Sequence, residues 1–363
     1  MNVTSDLFIA GTAPFGMKAA DKARYLETRL AVLRDYHYQR CRPYAILVDD
    51  WHACNPSAGS FIANYPFLPV TAFKEFELRS CEGELSVIES SATTSGQASR
   101  IFVDKESRRR QSRSANMILA DFIGGSRRPY VVFDSEETVR GTKAFSARGA
   151  AILSLAHLSS EIHFVMRQTP DGPELDIELL NAALARIGNQ PFMGYGFTFM
   201  LYRAHEALSS CDLPAAHPDT LFLHSGGWKK LSDLAVDKST FNSVISSKWR
   251  LNPERVVDFY GLVEQVGLAY PDCSEGVKHV PYWAEVLIRR ADTLEPAEVG
   301  ESGLIQLLNV LPLAGPNHSV LTEDIGRIER SDNCRCGRNG RAFVFEGRAP
   351  KSELRGCSDV VRR

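Results

Sequence analysis

Between Ser90 and Arg100 the chain reads SSATTSGQASR, with Ser90, Ser91, Thr93, Thr94, Ser95 and Ser99 grouped around Gly96. Hydroxyls and the open backbone N–H groups beside a glycine are what a loop needs to wrap phosphate oxygens, so a nucleotide is the first candidate ligand. The stretch lacks G-x-x-x-x-G-K-[ST] and G-x-G-x-x-G, so it is neither the usual P-loop nor a dinucleotide fingerprint. Read alone, it is equally a polar surface turn whose side chains bond their own backbone. A second group is Cys273 and His279 in CSEGVKH with Cys334 and Cys336 in CRCGRNG. Three thiols and an imidazole suit tetrahedral Zn²⁺, and four protein ligands with no open position make a structural site. Neither spacing is that of a zinc finger, and the alternative is small thiols buried separately with a surface histidine.

The elements that must position these residues follow from patterning. Tyr25, Leu26, Leu30 and Leu33 recur at helical spacing over residues 23–39, and Cys41-Arg42-Pro43 stops the run. YPFLPVTAFKEFEL, with Pro66 and Pro69 among aromatics, reads as a buried extended connection, and LSVIE as a short strand leading into the hydroxyl loop. From Arg148 onward, helix-like ARGAAILSLAHL and LDIELLNAALARI alternate with strand-like IHFVMR and DTLFLHSGG, the order of an α/β layer. Past about residue 255 the runs YWAEVLIRR, SGLIQLLNVL and RAFVFEG are separated by Gly, Pro and Asp turns.

The chain has 363 residues, 44% of them hydrophobic and 24% charged, enough for one two-lobed domain or two domains. A formal net charge of −2 argues against a large surface for nucleic acid or anionic membrane. Arg108, Arg109, Arg110, Arg113, Arg127 and Arg128 then read as solvated faces. Eight cysteines in this length make no disulfide scaffold. No run approaches the length of a membrane span, and the first residues lack a secretory pattern, so the expectation is a cytoplasmic protein with free thiols.

Four further stretches, LHSGGWKK (223–230), DFYGLVEQVG (258–267), LTEDIGRI (321–328) and EGRAPKSELRGCSD (346–359), in this order resemble the adenylate-forming enzymes, which join a carboxylic acid to ATP as an acyl-AMP. Together with YPFLPVTAFK, ARGAAILSL and YGFTF, they are most similar to the acyl-protein synthetases of the LuxE type, which supply activated fatty acid to a reductase. The resemblance runs from about Tyr65 to Asp359. It implies the large α/β N-terminal domain of the superfamily over residues 1–347, with stacked α/β subdomains to about 254 and a β-rich subdomain over about 255–347. Only fifteen residues follow Arg348, so residues 348–363 would be a short tail where relatives carry a lid domain with its catalytic lysine.

By the same resemblance, Ser90, Ser91, Thr93, Thr94, Ser95, Gly96 and Ser99 would lie along the β- and γ-phosphates of ATP. Ala92 and Ala98 depart from the usual glycine and proline there. Glu264 would hold Mg²⁺, while Val263 replaces the usual threonine. Tyr260 and Gly261 would line the adenine and acyl side, as would Gly226, Gly227 and Trp228. Asp324 would accept from the ribose hydroxyls, and Arg348 would reach the ribose or phosphate. The resemblance also raises the expectation of zinc at the four Cys/His positions, and it places Cys357, close to Arg355, where that family is acylated; the alternative is a structural cysteine. The expected partners are the acid and an acyl acceptor such as a reductase or carrier protein. The rival readings are transfer to CoA, a carrier or an amine, and a nonenzymatic adaptor that keeps the fold.

Overall fold

The computed structural model describes residues 3, 6–54, 60–89, 98–140, 147–170, 172–228 and 235–349. It comprises two compact units: the residues up to Asp121 together with those from Gly261 onward, and the intervening Phe122–Tyr260. Among the described residues no helix is long and apolar enough to cross a membrane.

In the second unit a parallel sheet takes the strand order Val256–Tyr260, Leu221–Ser225, Met193–Phe197, Arg128–Ser135, Ser159–Thr169, and Gly172–Leu175 closes one edge antiparallel. Every residue of Leu221–Ser225 and Met193–Phe197 is buried, as strands covered on both faces require. Gly194 makes the close packing possible, since a Cβ there would fall 2.4 Å from the Phe222 ring. Helix Ile177–Ile187 starts at Asp176, whose carboxylate accepts the Leu179 N–H, and it buries Leu180, Ala183 and Ile187 on one stripe.

The first unit is built on an antiparallel sheet in the order Lys278–His279, Arg341–Arg348, Ser319–Ser331, Ser302–Asn309, Ala284–Arg289. The short strand Leu68–Pro69 runs parallel to Val320–Leu321, and helix Ala72–Glu75 follows it, a turn of helix within the stretch read as extended. Helix Ala19–Tyr38 buries Leu26, Leu30, Leu33 and His37 at helical spacing. Its first N–H is accepted by the carboxylate of Asp332, more than three hundred residues away in sequence. Strands Ser86–Glu89 and Arg100–Val103 pair antiparallel with Glu89 opposite Arg100, and so flank the hydroxyl stretch, of which residues 90–97 lie outside the described set.

One expectation is corrected. Arg110 is 1% exposed rather than solvated, ion-paired to Glu106 at 2.8 Å and donating to the Val3 carbonyl, because helix Lys105–Ile123 turns that position inward. A long arginine stem covers apolar surface while its head pairs with an acid one turn back.

Gly267 ends the segment that carries Glu264. Its φ is +86°, and a Cβ would lie 2.5 Å from Gln111 Cα and 2.7 Å from its carbonyl oxygen. The Gly267 carbonyl accepts the Ser114 hydroxyl, which in turn accepts the Trp283 indole N–H. Gly267→Ala should therefore cost about 2–4 kcal/mol from left-handed strain plus a backbone clash, read as a loss in chemical denaturation, whereas Gly227→Ala, with open space around its Cβ, should cost less.

Candidate active site

Glu264 sits in the 3-10 turn Val263–Gln265, just beyond strand Val256–Tyr260. Its side chain is 5% exposed. Three amide side chains from distant segments hold the turn: Asn317 donates to the Glu264 carbonyl, Gln265 donates to the Asn317 carbonyl, and Asn309 donates to the Gln265 side chain, each at 2.8 Å. These bonds fix the backbone of the turn that carries Glu264.

Burial pushes the Glu264 carboxyl above its usual range, against the opposing pull of the Ser99 hydroxyl and Lys74, and Asp324 adds a like charge that raises it further. Ser99, the last hydroxyl of the phosphate-loop candidate, is itself buried. Asp324 is 5% exposed, and its backbone N–H is accepted by the Thr322 hydroxyl, which bonds back to Ile305. Arg348 lies directly opposite Asp324 on the neighbouring strand, with Nε 3.6 Å from Oδ1 and a largely exposed side chain. The first unit thus brings Ser99, Glu264, Asp324 and Arg348 together. It adds Lys74 and Gln265, which lie in stretches that carry the resemblance but were given no role, and Asn309 and Asn317, which lie in none of them.

One apolar cluster lies behind these segments. Leu68, Ala72, Phe73, Ile101, Val103 and Val320 are buried together, with Val263 and Val266 packed against them. Phe73 is next to Lys74, Ile101 two residues from Ser99, Val263 next to Glu264, and Val320 four residues before Asp324, so burial of the cluster sets the spacing of all four polar groups.

In the second unit, Gly226 and Gly227 end strand Leu221–Ser225 with φ of +82° and +57°. A Cβ on Gly226 would press the Phe197 ring at 3.3 Å. Trp228 is half-buried, its ring edge-on to Tyr202 at 5.1 Å and to Phe241 at 6.2 Å. His224 shares a hydrogen bond with Thr198 at 3.0 Å and faces Asp258 at 3.7 Å. Tyr260 is buried at the end of its strand, at the carboxyl edge where open α/β sheets bind ligands. Gly261 belongs to the first unit.

Cys273, His279, Cys334 and Cys336 gather so that their ligand atoms lie within 4.8 Å of one another. Two glycine-bearing turns present them. The Gly276 N–H bonds back to Cys273 and the Gly337 N–H to Cys334, with φ of +72° and +88°. Zn–S bonds of about 2.3 Å put tetrahedral ligands about 3.8 Å apart, so a small inward movement completes the set. Cys336 Sγ is already 3.3 Å from His279 Nε2. Burial pushes the Cys273 thiol up to about 12 and the His279 imidazole down to about 4. Crowded thiols held out of water are costly as thiolates unless a cation neutralises them, and this donor set fits zinc. Cys357 lies outside the described residues.

This is the fold of the adenylate-forming ligases. The chain aligns with a crystal structure of 2-hydroxyisobutyryl-CoA ligase, in an open conformation with 2-HIB-AMP and CoA, at a TM-score of 0.69 and 14% identity over 95% of this chain and 80% of that one. The same ligase in its postadenylation state with R3-HIB-AMP aligns at 0.69 and 13% identity, over 94% and 72%. Within that fold, the chain belongs to the acyl-protein synthetase family LuxE, whose profile matches residues 2–363. It is 24% identical over 302 residues, 81% of this chain and 76% of the other, to a long-chain-fatty-acid–luciferin-component ligase of Aliivibrio fischeri. To the protein so named in Vibrio harveyi it is 26% identical over 141 residues, an alignment spanning 39% of this chain and 36% of that relative.

The environment of Glu264 has a thermodynamic consequence. Its folded value lies above its unfolded one, so the ionised carboxylate opposes folding, and stability from this group is gained as pH falls through the raised value. Glu264→Gln keeps the shape without the charge and should melt a few degrees higher than wild type at pH 7.5 in the absence of nucleotide. The difference should shrink as pH is lowered towards 5, measured by calorimetry.

Proposed function

We propose that this protein activates a carboxylic acid of the fatty-acid type with ATP and Mg²⁺, forming an acyl-AMP, and then transfers the acyl group to a protein thiol. The observation that carries the reading is the buried Glu264 carboxylate beside Ser99 and Asp324, on the motifs the LuxE family shares. An oxygen of the acid attacks the α-phosphorus, the bond to the β-bridging oxygen breaks, and pyrophosphate leaves with its electron pair. Ser90, Ser91, Thr93, Thr94, Ser95, Gly96 and Ser99 receive the departing phosphates through hydroxyl and N–H donors. Asp324 accepts from the ribose hydroxyls, and Arg348, set opposite it, offers a fixed cation to ribose or phosphate. Glu264 would hold Mg²⁺, a hard cation preferring oxygen, which would supply charge neutralisation at the phosphates.

In the second half-reaction a thiolate attacks the acyl carbonyl and AMP departs, giving a thioester. The thiol is Cys357 of this chain or one on a partner such as a reductase or carrier. An arginine close to a cysteine favours the thiolate, and here Arg355 stands two residues before Cys357. Cys273, His279, Cys334 and Cys336 hold a structural zinc, which pins the turns after Pro271 and Ser331 to each other.

Incubating the protein with ATP, Mg²⁺ and a series of acids should release pyrophosphate with a preferred chain length, and Glu264→Gln should lose at least 10²-fold of that rate. With the preferred acid, the wild-type protein should carry a hydroxylamine-labile acyl group. Cys357→Ser should lose that label while retaining acyl-AMP formation. Wild type that stays unacylated would remove the transfer role and leave adenylation standing.

Metal analysis of protein purified without chelator should give one zinc per chain. Cys334→Ser should lower the melting temperature by several degrees, with little change in pyrophosphate release.

A further inference from the structure

Lys74 was assigned no role by any motif, yet the fold tethers it to the strand that bears Asp324 and brings its charge within reach of Glu264. Strand Leu68–Pro69 pairs in parallel with Val320–Leu321, and the Val70 N–H is accepted by the Leu321 carbonyl at 2.8 Å. Helix Ala72–Glu75 follows at once, burying Ala72 and Phe73 in the apolar cluster and leaving Lys74 half-buried. The cation is therefore fastened to the strand that bears Asp324 three residues beyond Leu321, and its field reaches the Glu264 carboxylate.

Ser99, Asp324 and Glu264 divide the nucleotide between them. Under the proposed reading, on which this inference rests, Ser99 closes the loop for the β- and γ-phosphates, Asp324 holds the ribose, and Glu264 holds the metal at the phosphates. The part of ATP that joins ribose to β-phosphate is the α-phosphate, and it is where the new bond forms. We infer that Lys74 is a catalytic residue whose ammonium contacts the α-phosphate oxygens of ATP and of the acyl-AMP. It transfers no proton. It offsets the charge on the nonbridging oxygens while the acid's carboxylate approaches, removing the repulsion between two anions that must meet.

A lysine that only steadied Glu264 would give a different pattern from one that touches substrate. Lys74→Met should form acyl-AMP at least a hundredfold more slowly at saturating ATP, bind a nonreactive acyl-sulfamoyl adenosine at least tenfold more weakly, and melt within a few degrees of wild type. Lys74→Arg should recover part of the rate. In wild-type protein, labelling of Lys74 by acetic anhydride, read by mass spectrometry, should fall when the sulfamoyl compound is bound and stay high with adenosine alone; this arm holds even if Lys74→Met fails to fold. The inference is overturned if Lys74→Met keeps wild-type pyrophosphate release, or if labelling of Lys74 is insensitive to the sulfamoyl compound. It is also overturned if rate and melting temperature fall together with no recovery in Lys74→Arg, since that marks a structural ion pair. If wild type releases no pyrophosphate with any acid, the adenylation reading itself falls, and the role of Lys74 in it.

Discussion

Two carboxylates kept out of water within each other's field are the constraint around which the first unit is arranged. Glu264 and Asp324 are each about as buried as an apolar core residue, and each raises the cost of charging the other. Buried like charges are stable only where opposite charge or donors are supplied. The fold supplies Ser99 and Lys74 on one side and Arg348 across the strand pair on the other. The amide network of Gln265, Asn309 and Asn317 prevents the turn from relaxing into solvent, and Gly267 lets it pass the helix that carries Gln111 and Ser114. Such an arrangement is poor for stability, and under the proposed function that cost is the counterpart of a site preorganised for a polyphosphate and a divalent cation.

How far this was legible in the sequence depended on whether the signal was local. The helix over residues 19–38 shows in the spacing of Leu26, Leu30 and Leu33, and the fully buried parallel strands show as short apolar runs closed by Gly or Ser. Ser99, Glu264, Asp324 and Arg348 were singled out because each lies in a short motif to which the resemblance attaches a role, and the fold brings them together. Lys74 lies in such a stretch too but was given no role, because two prolines made its segment read as extended and a four-residue helix has no periodicity to detect. Gln265, Asn309 and Asn317 were invisible for another reason. Amides separated by 44 and 52 positions meet only once the antiparallel sheet is formed, and nothing in their spacing announces it. Arg110 was misjudged because a cluster of arginines reads as surface until the helix phase turns one of them inward.

The second unit shows a complementary economy of means. Its carboxyl edge gathers small and polar residues, with Ser225 bonded by Tyr195 and Thr198 ahead of Gly226, while the strands beneath are buried throughout. Trp228, directly after the two glycines, has its ring shared between Tyr202 and Phe241, so aromatic packing fixes that side chain.

The discontinuity of the first unit sets an order of events during synthesis. Residues 122–260 form an uninterrupted stretch that carries six strands of one sheet, so most of this part's pairing can form as soon as it leaves the ribosome. The first 121 residues cannot. The strand at Leu68–Pro69 has no neighbour until Val320 is made, the opening helix has no cap until Asp332, and the cluster behind the carboxylates waits for Val263 and Val320. Long-range closure of this kind is slow and leaves apolar surface exposed while the chain grows. The nascent protein therefore spends most of its translation with this strand, this helix start and this cluster still lacking the late segments that complete them.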